Sequence, residues 1–434
     1  MERPKRIFVK HFETRAVHAG HHTQDAQGAV KPALHRASTF AFPSAENGAA
    51  HMEAAYGVPG VAAPDSGYIY SRLHNPTIAA AETRLAALDQ ADSSALFASG
   101  MAAISTALLA GAGPERPVWY ANPVYGGTEH FVREILPTWG IGTRALASLD
   151  QLEALHTSTG ELPGIVYLET PANPTMQLHR IATAVDFARK HSTAEHPIYV
   201  YVDNTYLGPV MQRPLECGAD LVLYSATKYL GGHSDLVAGA VSGKQAVVDA
   251  VRSYRHFLGG TITPDSAWML MRSMETLHLR TERQAQNTEA VAAFLRQHPA
   301  VQQLHSALTQ DLLPEAEAIA QAQMHGRGSM LAFTVAGGRN EAFAVLNALR
   351  VFTLAVSLGS TESLAEHPAS MTHAGVPGHE KELYGIHENL IRLSIGVEHV
   401  EDLIDDLRQA LASLPAADPF EPASVPALSG MGKN

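Results

Sequence analysis

Residues Leu221–Gly232, LVLYSATKYLGG, decide how this chain is read. Leu221, Val222 and Leu223 make a short apolar strand that runs into Ser225-Ala226-Thr227-Lys228 and a glycine-softened turn. Upstream, Ile198–Asp203, IYVYVD, reads as a second buried strand ending on a lone carboxylate. A lysine at one strand end and an aspartate at another suggest a site for pyridoxal 5′-phosphate (PLP). That cofactor needs a lysine to hold it as a Schiff base and an acid to keep its pyridine nitrogen protonated. Taken alone, the pair leaves a solvated surface lysine as an open alternative.

Working outward, further strands are expected at 95–98, 118–121, 165–169 and 237–241, with helical patterns such as Ile181, Val185 and Ala188 between them. Strands alternating with helices predict an α/β fold with a mostly parallel sheet covered on both faces. Ligands in such sheets lie at the carboxyl ends of the strands. Ser99, Tyr125, Glu169, Asn173, Asp203, Ser225, Thr227 and Lys228 all fall at or just beyond such ends. Before them, YIYSRLHNPT (68–77) leads into a helix with Ile78, Ala81, Leu85 and Leu88 on one face, Asn75 as its N-cap and Pro76 at its first position. Ser99-Gly100-Met101 opens another helix, a turn suited to a single small phosphate. GxGxxG and Walker motifs are absent, which argues against dinucleotides and nucleoside triphosphates.

The 434 residues allow a large core and more than one domain. We read residues 1–65 as an irregular N-terminal arm that contacts another subunit, 66–258 as the cofactor-binding α/β domain, and 259–413 as a smaller α+β domain. In the last, a long helical region from 264 to about 296 precedes strands near 330–335, 354–358 and 390–395 and helices at 341–350 and 400–413. The Pro/Ala/Ser-rich stretch 414–434 reads as a disordered tail. The formal charge, 31 − 43 = −12, with no long basic run, argues against nucleic acid or an anionic membrane as main partner. No apolar run is long enough for a bilayer and the N-terminus lacks an apolar signal core, so a cytoplasmic location is expected. The lone Cys217 excludes an internal disulfide framework and reads as a small buried thiol. His11, His18, His21 and His22 read as a polar arm, and no metal site is expected.

The chemistry assigns provisional roles. Lys228 holds the cofactor and then moves protons, and Asp203 pairs with the pyridine nitrogen. Gly100, Met101, Ser225 and Thr227 offer amides and hydroxyls to a phosphate. Tyr125, in NPVYGGT, is placed to stack on a ring and to take part in proton transfer, with a buried core tyrosine as the alternative. Arg392 interrupts the apolar strand ENLIRLSIG, where a guanidinium is costly unless paired; a substrate α-carboxylate would pair it. Ser357 lines the same pocket. Tyr70 and Arg72 precede the first domain helix, where Arg72 is a good phosphate ligand for a site that need not be its own.

The run VDNTYLGPVMQRPLECGADLVLYSATKYLGGHSDLVAGAVSG (202–243) resembles the PLP-attachment region of the Cys/Met-metabolism, or transsulfuration, enzymes. YSRLHNPT, SGMAAI, VYGGT, ETPANPT, SLGSTESLAEHPASMTH and RLSIGVE match in the family's order, so the resemblance spans about residues 12–412. It implies a PLP-dependent transferase fold of type I, usually a homotetramer of two tight dimers. It implies Lys228 as Schiff-base lysine, Asp203 on the ring nitrogen, Tyr125 stacked, and Gly100, Met101, Ser225 and Thr227 on phosphate. Tyr70 and Arg72 would serve the neighbour's phosphate, Ser357 and Arg392 the substrate carboxylate, and Asn173 the cofactor oxygen and that carboxylate.

Within the family, AVSLGSTESLAEHPASMTH looks like methionine γ-lyase, and Val356 is apolar where cystathionine γ-lyases typically carry Glu. Gly127 departs from the Cys usual in methionine γ-lyases, Arg255-His256 replaces their Lys-Asp pair, and residues 47–67 look longer than is common. The expected reaction is α,γ-elimination on a γ-substituted L-amino acid. The alternatives are γ-replacement, as in cystathionine γ-synthase or an O-acylhomoserine sulfhydrylase, and elimination of a non-sulfur group such as that of canavanine.

Overall fold

A computed structural model describes residues 10–21, 23, 26–61, 64, 67–412 and 414. Of the stretch 414–434, read from sequence as a disordered tail, Leu414 packs against the cluster around Leu407 and Leu411, and residues 415–434 lie outside the described residues. Near the N-terminus, the helices α1 (Phe12–His18) and α2 (Ala45–Ala55) correct the expectation of an irregular arm. Phe12 and Ala16 of α1 are buried against Ile78 and Leu85 of the helix α3 (Pro76–Asp89). The buried Arg84 of α3 accepts this anchoring directly, donating to the carbonyls of Val17 and Ala19 and pairing with Glu275 at 3.0 Å. At seven residues α1 is too short to show a clear period in the sequence.

The large sheet has seven strands: β1 (Ser93–Phe97), β2 (Val118–Ala121), β3 (Thr143–Leu146), β4 (Ile165–Glu169), β5 (Tyr199–Asp203), β6 (Leu221–Tyr224) and β7 (Gly239–Gly243). Their spatial order is β1-β7-β6-β5-β4-β2-β3, and only β7 runs antiparallel to its neighbours. The runs VWYA, IVYLE and LVLY are buried throughout because both faces are covered. On one face, Ile104 and Leu108 of the helix α4 (Gly100–Gly111) and Val248 and Val251 pack on Tyr167, Tyr201 and Leu223. On the other, Val185 and Phe187 pack on Trp119, Val166 and Val200. Cys217 is half-buried beside that second cluster, and burial pushes its thiol pKa up, so it is held as a neutral packing group.

The long helical region divides into Pro264–Met274 and Leu277–Gln297. A second sheet follows, with β8 (Val301–His305), β9 (Met330–Val335), β10 (Thr353–Leu354), β11 (Leu364–Glu366) and β12 (Leu390–Ser394) in the order β10-β11-β12-β9-β8. The strand expected over 354–358 ends at Leu354 because Ser357 has φ of 96°, which extended backbone does not tolerate. The helices expected at 341–350 and 400–413 run Arg339–Ala348 and Val400–Leu411. Among the described residues, no helix is long and apolar enough to cross a membrane.

Candidate active site

The carboxyl ends of β4, β5 and β6 carry Glu169, Asp203 and the Ser225–Lys228 turn to one rim. The second sheet supplies the opposite wall. Lys228 Nζ donates to Ser357 Oγ at 2.7 Å, and Ser357 O accepts from Arg392 Nη2 at 2.7 Å. Ser357 therefore joins the amine to the guanidinium. Burial, followed by the Arg392 charge, lowers the Lys228 pKa from 10.5 to about 8, and Glu366 opposes the shift. A neutral nucleophilic amine is accessible at moderate pH.

Arg392 does not wait for a substrate to be paired. Its Nη1 lies 2.6 Å from Glu366 Oε1 and 3.1 Å from Asn173 Oδ1. Glu366 faces Arg392 directly across the antiparallel β11–β12 ladder and accepts from Thr372 Oγ1 at 2.8 Å. The pairing that a guanidinium inside an apolar strand demands is thus supplied in part by the chain itself. Arg392 Nε is buried without a partner. A carboxylate would meet that orphaned donor. Glu366 escaped the sequence reading because it sits on a three-residue strand that gives no period.

At the other end of the site, Asp203 Oδ1 accepts from the Thr205 N–H at 3.0 Å and Thr205 Oγ1 at 2.6 Å, while Oδ2 lies 3.2 Å from the Tyr167 hydroxyl. Burial pushes the Asp203 pKa up, and these donors oppose it. Glu169, its neighbour in register on β4, accepts from the Tyr125 N–H at 2.7 Å and the Asn173 N–H at 3.0 Å. Burial, and then the Asp203 charge, push the Glu169 pKa up as well. Two buried carboxyls side by side do not both ionise readily, so Glu169 is held toward its neutral form and a protonated ring nitrogen would favour ionised Asp203.

Ser99 caps α4, its Oγ accepting from the Ala102 N–H at 3.0 Å, so Gly100 and Met101 supply the first N–H groups of that helix. Gly100 is required by space: a Cβ there would lie 2.9 Å from Ser225 Cβ and 3.0 Å from Ser225 Oγ. The Thr227 hydroxyl is engaged with Ala238, donating to its carbonyl at 3.2 Å and accepting its N–H at 2.9 Å. Re-aiming that proton at a phosphate leaves Ala238 O with the Thr227 N–H at 3.1 Å. An amine, a buried carboxyl at a strand end and a helix N-terminus with adjacent hydroxyls fit the lysine, ring-nitrogen and phosphate demands of PLP.

Four expected residues are less enclosed. Tyr125 is 44% exposed at the start of the short helix Gly126–His130, with its ring lying across Gly127; a Cβ at 127 would come within 2.6 Å of Tyr125 Cε1 and 3.1 Å of Met101 Sδ. This rules out the buried-core alternative for Tyr125. Val356 is 54% exposed beside Ser357. Tyr70 and Arg72 lie on the turn before α3, with the guanidinium 5.8 Å from the Tyr70 ring centroid. Arg72 donates to the His256 carbonyl, and the His256 ring bonds Leu73 O at 3.1 Å. None of the contacts made by Tyr70 or Arg72 among the described residues reaches Lys228. Neighbouring Arg255 is buried and pairs with Glu82 at 2.7 Å. Of the long segment 47–67, part belongs to α2 and residues 62–63 and 65–66 lie outside the described residues.

Residues 13–412 match the family model "Cys/Met metabolism PLP-dependent enzyme". L-methionine gamma-lyase of Pseudomonas putida is 41% identical over 402 residues, covering 92% of this chain and 97% of that protein. Cystathionine gamma-synthase of Mycobacterium bovis is 37% identical over 403 residues, covering 92% and 96%. Among solved structures, cystathionine gamma-lyase from Lactobacillus plantarum complexed with L-serine superposes with a TM-score of 0.83 at 34% identity, covering 94% of this chain and all of that one. The chain thus belongs to the Cys/Met metabolism PLP-dependent enzyme family.

Proposed function

We propose that this enzyme catalyses α,γ-elimination on a γ-substituted L-amino acid of the methionine, cystathionine or homoserine-derivative type, consuming one water and releasing the protonated γ-substituent, ammonia and 2-oxobutanoate. The observation that carries the proposal is the Lys228–Ser357–Arg392 bridge, which sets a near-neutral amine beside a guanidinium with an unused buried donor. An α-carboxylate received by Arg392, with Asn173 and Ser357 beside it, brings the substrate Cα to Lys228. When bound, PLP supplies an electron sink for the carbanion formed at Cα and then at Cβ.

The chain's own residues do the rest. Lys228 would hold the cofactor and, as a free base, would carry the protons off Cα and Cβ. Asp203 keeps the ring nitrogen protonated, and Gly100, Met101, Ser225 and Thr227 hold phosphate. Tyr125, exposed and next to Gly127, covers the ring and delivers a proton to the departing γ-group. Tyr70 and Arg72, turned away from their own Lys228, complete the phosphate site of a neighbouring subunit in a dimer of a homotetramer. Val356 places no acid near a distal ammonium, which favours a substrate shorter or less charged at its far end than cystathionine. The assignment of 66–258 and 259–413 as separate domains, and a cytoplasmic location, belong to the same reading.

The relatives named cystathionine gamma-synthase support a second reading, γ-replacement by a thiol. Incubation with methionine, cystathionine, O-acetylhomoserine and canavanine, with 2-oxo acid and homoserine measured with and without added cysteine, separates the two. Elimination is expected to give 2-oxo acid whether or not the thiol is present. A 2-oxo acid signal that disappears on adding thiol, with a thioether in its place, makes replacement the native path.

A further inference from the structure

Thr205 stands between the two ends of the cofactor site. Its Oγ1 lies 2.6 Å from Asp203 Oδ1 and 2.9 Å from the Ser225 N–H, and its own N–H reaches the same Oδ1 at 3.0 Å. A backbone N–H only donates, so the Ser225 bond occupies a lone pair of the Thr205 hydroxyl. The single hydroxyl proton is thereby directed at Asp203. With the Tyr167 hydroxyl 3.2 Å from Oδ2, donors converge on both oxygens of a buried carboxyl, an arrangement that fits its ionised form. Ser225 in turn abuts Gly100 at the mouth of the phosphate cradle. The preceding side chain, Asn204, faces elsewhere, donating to Gln212 O at 2.9 Å.

We propose that Thr205 is a positioning residue: its hydroxyl holds Asp203 as an oriented carboxylate against the ring nitrogen and ties that acid to the phosphate-binding turn at Ser225. The proposal rests on the reading that Asp203 meets the ring nitrogen. Nothing in the sequence marks Thr205 out, because a threonine following a strand-end Asp-Asn is ordinarily a turn residue.

The test uses holoenzymes carrying PLP labelled with nitrogen-15 in the ring, whose NMR shift separates a protonated from an unprotonated ring. Thr205→Val removes the hydroxyl at nearly constant volume, and Thr205→Ser keeps the hydroxyl and drops the methyl. The pH at which the ring loses its proton is expected to fall by about one unit in Thr205→Val, a tenfold change in proton affinity. Cofactor loss on dialysis should quicken about tenfold in the same variant, with Thr205→Ser near wild type in both measurements. A Thr205→Val holoenzyme matching wild type in ring protonation overturns the proposal, as does an equal fall in both variants. Thr205→Ala replaces an insoluble Thr205→Val, with the same outcomes. Asp203→Asn separates the two levels: if it leaves ring protonation unchanged, the Asp203 reading fails and Thr205 with it. If it abolishes ring protonation while Thr205→Val does not weaken it, only the Thr205 proposal fails.

Discussion

Lys228 and Ser357 are 129 residues apart in sequence, yet the lysine Nζ lies 2.7 Å from the serine Oγ. Lys228 follows the last parallel strand of the large sheet, whereas Ser357 turns away from an edge strand of the second sheet at φ 96°. A serine in that conformation costs on the order of 1–3 kcal/mol and persists where surrounding contacts enforce it. Here those contacts are the Lys228 amine on its side chain and the Arg392 guanidinium on its carbonyl.

Ser357→Ala removes the first contact and keeps the second. A hydrogen bond to a charged group is worth about 1.5–3 kcal/mol, so kcat/KM should fall about ten- to hundredfold. Ser357→Gly relieves the backbone and removes the same hydroxyl. It should lose similar activity while gaining thermal stability over Ser357→Ala, read by steady-state kinetics and melting curves.

The pH dependence of cofactor capture follows from the lysine. Its pKa in the fold is about 8, below the ordinary 10.5, so the neutral amine accumulates as pH rises through about 8. Protein stripped of PLP should therefore take it up faster with rising pH and level off above that midpoint. Arg392 is the second cause of the shift, so Arg392→Met should move the midpoint upward. Stopped-flow absorbance measures both.

Glu366 and Arg392 form a buried cross-strand pair at 2.6 Å. Removing one partner of such a pair costs about 3–5 kcal/mol, because the other charge is left uncompensated. Glu366→Ala should show that loss in denaturant unfolding. Glu366→Gln, which keeps an oxygen for Arg392 and Thr372, should lose less stability while raising KM for the amino acid.

Gly127 lies under the Tyr125 ring, and the Tyr125 N–H is fixed by Glu169 at 2.7 Å. A methyl at 127 must displace the ring rather than the loop. Overpacking of this kind costs about 1–3 kcal/mol, so Gly127→Ala should lower kcat/KM about tenfold or more. The change is expected to differ between methionine and O-acetylhomoserine; equal loss on both substrates would separate Gly127 from substrate choice.

Tyr70 and Arg72 make no contact with Lys228 of their own chain among the described residues. On the proposal that Arg72 serves a neighbouring subunit, mixing Arg72→Ala chains with Lys228→Ala chains should restore part of the activity, since a hybrid dimer would then contain one intact site. Absence of any rescue in verified hybrids would assign Arg72 to its own chain.

Much of the fold was legible because the strands of the large sheet are buried on both faces. The runs 118–121, 165–169 and 221–224 are strands residue for residue, and so is 330–335 in the second sheet. The half-exposed edge strand Thr143–Leu146 and the partly buried Val301–His305 lack such runs and were not foreseen. Lys228, Asp203 and Arg392 stood out as charged groups at the ends of, or inside, apolar strands. Glu366, Thr205 and the clamping role of Glu169 did not, because each acts on a group brought near only by folding: Arg392 across a ladder, Ser225 from the next strand, Tyr125 from the loop after β2.

The most direct measurement is the position of the covalent cofactor link. Holoenzyme reduced with borohydride, digested and sequenced by mass spectrometry should carry the phosphopyridoxyl group on Lys228, and Lys228→Ala should carry none and lack the visible absorbance of the wild type. The label on a different lysine, or a Lys228→Ala protein that retains both label and absorbance, would contradict the assignment of Lys228 and the site built around it.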